Sequence, residues 1–178
     1  MKLKNLVLGL GAVALAMSVN AGAEISQPGI ARIQKQVRHE LNMLPYVNAF
    51  DYMTFSVDEN GNVTLNGEVT NPVLKSDAGN VVKRVEGVER VENKIQVLPL
   101  SGFDDGLRVR LYRTIYGYEP LQKYSLGVQK PIRIIVDNGH VTLLGVVDNE
   151  TDKNIAGLRA NGVFGVFSVD NQLQVVKG

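Results

Sequence analysis

From residue 55 to residue 69 apolar side chains recur with a period of two. Phe55 and Val57 are followed by Val63, Leu65 and Val69, while Thr64, Asn66 and Glu68 point the other way. That alternation predicts two strands with one face on a core, and Gly61 supplies the positive-φ position of the turn between them. Upstream, Ile33, Val37, Leu41 and Leu44 follow one helical stripe that Pro45 closes. Downstream, Asn71 is placed to cap a second helix with Pro72 in its first turn, and Gly87 to stop it. Val91, Ile95 and Val97 then alternate as a last strand, which gives the order helix, strand, strand, helix, strand.

The pattern occurs twice. Shifting the chain by 78 positions aligns residues 61–98 with 139–176 without a gap, and 17 of the 38 pairs are identical, so the unit is duplicated. Val63-Thr64-Leu65 meets Val141-Thr142-Leu143, Gly67 meets Gly145, and Gly87-Val88 meets Gly165-Val166. The helical stripe also returns, as Leu107, Leu111, Ile115 and Tyr118 before Pro120. The expected fold is therefore α+β: two tandem small domains, each with two helices on one face of a three-stranded mixed sheet. Their bounds are 24–98 and 107–178, joined by a linker at 99–106 in the stretch "LPLSGFDDG", whose proline and glycines break structure. Each unit is near the lower size limit for a lone core, so docking between the copies is expected.

Ahead of the first unit, Lys2 and Lys4 precede an apolar run from Leu6 to Val19 and the small residues Ala21-Gly22-Ala23. This is the layout of a secretory signal peptide over 1–23, cut after Ala23. The alternative, a retained anchor, is disfavoured because a span needs about 20 apolar residues. The chain has no cysteine, hence no disulfide, thiol chemistry or lipid-accepting residue. Export without disulfides suits a bacterial periplasm. From Glu24 onward 17 basic residues face 18 acidic ones, which argues against nucleic acid as a partner.

The glycine in "VTLNGEV" and "VTLLGVV", followed by "EGVERVENKIQV" and "FGVFSVDNQLQV", closely resembles the BON domain, and the resemblance covers almost the whole exported chain, twice. It implies an exported bacterial envelope protein that binds phospholipid and supports membrane integrity under osmotic or envelope stress. Some two-copy relatives are lipoproteins; without a cysteine, that tether does not carry over. The family brings no catalytic residues.

The residues themselves point away from chemistry. His39 and His140 stand alone, with no second ligand at metal spacing. "DENG" at 58–61 is a turn, since its second copy is one residue shorter and a calcium loop does not tolerate that. Asp104 and Asp105 fall in the linker and are expected to face solvent. No phosphate loop, dinucleotide fingerprint or nucleophile elbow occurs. The expectation is no enzyme, no cofactor and no metal.

Differences between the copies mark a candidate surface. Asp77 and Asn80 become Ile155 and Leu158, and Glu86 and Glu89 become Phe164 and Phe167. With Lys153 and Arg159 beside them, these residues form an apolar patch suited to an anionic phospholipid membrane surface or to an envelope protein. The other reading is that the helix has rolled and the patch is packed. On the sheet's outward face Ser56, Asn66 and Glu68 become Ile135, Leu144 and Val146, expected to pack between the domains, although the two roles are interchangeable. Tyr112 and Tyr116, near Arg108 and Arg113, read as packing residues with wet hydroxyls. Self-association is compatible with each of these readings.

Overall fold

The computed structural model describes residues 25–127 and 129–176; the expected leader and its cut after Ala23 lie outside them. The first unit comprises α1 (Gln27–Asn42), β1 (Tyr52–Val57), β2 (Asn62–Val69), α2 (Pro72–Val82), β3 (Arg90–Asn93) and β4 (Gln96–Val97). The second comprises α3 (Gly102–Tyr116), a 3-10 helix (Glu119–Ser125), β5 (Ile132–Asp137), β6 (His140–Val147), α4 (Glu150–Asn161), β7 (Ser168–Asn171) and β8 (Gln174–Val175). In each unit the first two strands are antiparallel, and the last runs parallel to the second after the helical crossover.

The last strand of each unit is interrupted, so each mixed sheet has four strands rather than three. Asn93 causes the break in the first copy. Its side chain donates to the Lys75 carbonyl at 2.7 Å and accepts from the Ile95 amide at 3.2 Å. Asn171 repeats both bonds, to Lys153 and Leu173. Gly79 and Gly157 leave room for these amides, since an added Cβ would lie 2.9 or 2.7 Å from the Asn nitrogen. Gly67 and Gly145 adopt positive φ, and a Cβ there would overlap the Tyr52 or Pro131 carbonyl of the paired strand.

Helix α3 starts earlier than expected. Residues 102–106, expected as linker, are its first turn, with Ser101 as the cap accepting from the Asp104 amide at 3.2 Å. Asp104 is buried instead of facing solvent. Its carboxylate accepts the Asn138 and Gly139 amides at 3.0 and 2.9 Å and ties the β5–β6 turn to α3. A buried carboxylate needs such donors. Asp105 remains exposed and pairs with Arg108 at 2.6 Å.

Each unit has its own core, and the segment after α1 joins them. Ala49 is buried in the second unit's core, where Phe50 meets Tyr112 edge to face. The Ala49 carbonyl accepts the Ile134 amide at 2.8 Å, and Arg133 donates to the Asn48 carbonyl at 2.7 Å. Asp51, itself buried, holds this turn by accepting from the Asn48 and Thr70 amides.

Candidate functional site

The second unit exposes aromatic rings at the end where the β5–β6 turn, the α4–β7 loop and the start of α3 converge. Phe164 is 91% exposed, Phe167 71% and Phe103 49%. The rings of Phe103 and Phe167 stack with centroids 6.3 Å apart, and the His140 ring lies 6.0 Å from Phe167. Two glycines permit the cluster. A Cβ at Gly139 would strike the Phe167 ring, and one at Gly165 would meet Phe103 at 3.3 Å and the Arg110 guanidinium at 3.4 Å. Arg110 and Arg113, three residues apart on α3, are both exposed and add positive charge to the same helix face.

The corresponding end of the first unit is polar. Glu86 and Glu89 stand in place of Phe164 and Phe167, Gly29 in place of Phe103, and Gln36 and His39 in place of Arg110 and Arg113. Glu86 pairs with Arg32 at 3.4 Å. Among the described residues, only those of the second copy therefore combine exposed phenyl rings with cations at this end.

The structure divides the residues that the sequence grouped. Phe164 and Phe167 share the loop after α4, and Leu158, 73% exposed, lies on the helix leading into it. Ile155 is a correction: it is half-buried and packs against the core. Its counterpart Asp77 is also half-buried, so the position faces inward in both copies. Lys153 is half-buried in the first turns of α4, away from the aromatic end. Arg159 is exposed and lies over the Tyr118 ring, 4.6 Å from its centroid. The sequence reading missed Phe103 and Arg110. Ser101 followed three residues later by Asp104 was the available sign that a helix starts there.

The three sheet-face residues differ in environment. Ile135 is 2% exposed yet belongs to neither core cluster, Leu144 is half-buried, and Val146 is exposed. Charges of the first unit reach this strand. Burial lowers the basicity of Arg133, opposed by the nearby Tyr116, Asp51 and Tyr52. Burial also raises the Glu68 carboxyl, helped by the charge of Asp137. Tyr116 is buried and donates to the Ile132 carbonyl at 2.5 Å. Its burial pushes the phenol upward despite that bond.

A second polar cluster is structural. Lys123 meets Asp148 and Asp152, each at 2.7 Å, and the Tyr124 hydroxyl donates to Asp152 at 2.6 Å. Burial of Asp152 raises its carboxyl, but the bonds from Lys123 and Tyr124 outweigh this and leave it below its ordinary value. Among the described residues no group of acidic, histidine or cysteine side chains is placed to hold a metal, and no helix is long and apolar enough to cross a membrane.

A duplicated helix-strand-strand-helix-strand unit with an asymmetric aromatic end defines a small non-identical domain pair. The BON domain family model matches residues 30–99 and 123–177, and the chain belongs to that family. It is similar to the outer membrane lipoprotein DolP of Haemophilus influenzae, with 27% identity over 168 residues, covering 92% of this chain and 83% of that protein. Among solved structures it overlaps CdsD, a structural protein of the type III secretion system of Chlamydia trachomatis, at 13% identity and a TM-score of 0.31, over 82% of this chain and 93% of that one. So loose an overlap has no bearing on function.

Proposed function

We propose that this is a non-enzymatic, exported envelope protein that binds anionic phospholipid surfaces weakly through the second BON domain. The observation carrying this reading is the group of three exposed phenyl rings, Phe103, Phe164 and Phe167, beside Arg110, at an end where the first domain carries Glu86 and Glu89. Phenyl rings favour the acyl boundary, and cations beside them favour anionic headgroups. The similarity to an outer membrane lipoprotein supports an envelope setting. Export by a leader cut after Ala23 would release the chain into the periplasm, where it would support envelope integrity under osmotic stress.

Magnitudes favour transient binding. A phenyl ring contributes about 1.5 to 3 kcal/mol when fully buried, and a nearby cation about 1 kcal/mol at an anionic surface. Ordering costs and partial insertion offset much of this. Stable residence then requires several copies on one membrane or a second attachment.

The chain contains no tryptophan, so Phe164→Trp places a single reporter in the loop. Vesicles of phosphatidylglycerol should shift its emission to the blue, an effect that salt reverses. An unchanged spectrum at saturating lipid would remove this loop from any membrane site and favour an envelope protein as the partner.

A further inference from the structure

The duplication provides a comparison of two sheet edges, and they are finished differently. Strands β1 and β5 are equivalent edge strands: Phe55 pairs with Leu65 as Ile134 pairs with Leu143. The Ile134 amide is bonded to Ala49, so it points away from β6. Hydrogen bonding alternates along an antiparallel ladder, so Ile132, Ile134 and Val136 present their backbone groups to the outer edge, as do Met53, Phe55 and Val57 in the first unit.

On β5 that edge is closed. Arg108 donates to the Val136 carbonyl at 2.6 Å, Tyr116 donates to the Ile132 carbonyl, and Ala49 occupies the amide between them. Both plugging side chains are buried. The corresponding positions on α1 hold Gln34 and Asn42, which are shorter and exposed. Among the described residues no hydrogen bond reaches the outer edge of Met53, Phe55 or Val57. A cavity of about 360 Å³ opens there instead, lined by Gln34, Arg38 and Asn42 of α1 and by Met53, Thr54 and Phe55 of β1. Leu41 contributes an apolar wall.

We infer that this open edge of the first domain receives an extended segment of another protein, which adds a strand alongside β1 and places an apolar side chain in the cavity. A row of donors and acceptors on every second residue is matched by another extended backbone, while alternate side chains reach the adjoining pocket. Uncovered edges invite pairing, and the second copy's edge is closed against it by its own arginine and tyrosine and by the first unit's turn at Ala49. Among the described residues lining the cavity Arg38 is the charged one, so an acidic side chain on the incoming strand is complementary. The same arginine disfavours a second copy, because a twofold pairing of β1 edges would bring two Arg38 side chains toward one another. This site is on the opposite domain from the aromatic end and does not depend on lipid binding.

The probe is a blocked hexapeptide of alternating valine and glutamate, titrated into the chain from Glu24 to Gly178 while amide exchange is followed by NMR. The Phe55 amide should exchange rapidly in the free protein and slow about tenfold or more at saturation, with Ile134 slow throughout. The double variant Gln34→Arg/Asn42→Tyr installs the second domain's plugs and should lose the peptide effect while keeping its circular dichroism spectrum. The inference is overturned if Phe55 is already as protected as Ile134, if no soluble peptide concentration slows it, or if the plugged variant binds equally. Slowing that tracks protein concentration without peptide would make a second copy the occupant and would equally overturn it.

Discussion

The amide of Ile134 in the second domain donates to the carbonyl of Ala49 in the first at 2.8 Å, and the Ala49 side chain is buried in the second domain's core. A residue of one domain thus completes the other's packing. Unfolding of the exported chain should accordingly be one cooperative transition. Ala49→Leu overfills the site and should destabilise by about 1 to 3 kcal/mol. Calorimetry should show the lower melting temperature together with separation of the single transition into two.

Glu68 and Asp137 lie on different domains, yet burial and the Asp137 charge raise the Glu68 carboxyl together. A carboxyl raised on folding loses stability as pH climbs from its unfolded value through its folded one. Glu68→Gln should therefore stabilise the protein at neutral pH and have little effect where the carboxyl is already protonated. Denaturant midpoints at pH 7 and in the acid range test this, and equal shifts at both would contradict it.

Asp152 has the opposite sign. The bonds from Lys123 and Tyr124 outweigh burial and hold its carboxyl below its ordinary value, so its contribution is present at neutral pH and is lost as pH falls through the folded value. Asp152→Asn should lower stability at pH 7 and flatten the acid limb of a stability-against-pH curve.

Asp104 joins the start of α3 to the β5–β6 turn through two amides. Replacing it with alanine leaves the buried Gly139 amide and the partly buried Asn138 amide without a partner, at a cost of about 1 to 3 kcal/mol. Asp104→Asn keeps one acceptor oxygen and should recover part of that loss in chemical denaturation.

The periodicities of two and of three to four made both units legible in the chain, and the ungapped shift of 78 fixed their equivalence. Interactions that depend on distant partners were not legible. Asp104 read as a solvated linker residue because its donors lie 34 and 35 residues further on and are backbone groups without a side-chain signature. Phe103 was hidden by its flanking residues: Gly102 and Gly106 suggest a linker, although Ser101 caps a helix through them. For Ile155, polarity alone suggested a new surface. The half-buried Asp77 at the equivalent place shows that the position faces inward, so the apolar substitution reinforces the core.

Vesicle flotation decides whether the aromatic end of the second domain binds lipid. The chain from Glu24 to Gly178 is compared with its Phe103→Ser/Phe164→Ser/Phe167→Ser variant on neutral and anionic vesicles, with melting temperatures measured in parallel. Lipid binding there predicts flotation of the wild type with anionic vesicles only, and its loss in a variant that melts as the wild type does. Failure of the wild type to float at high lipid concentration, or equal flotation of the folded variant, would contradict it.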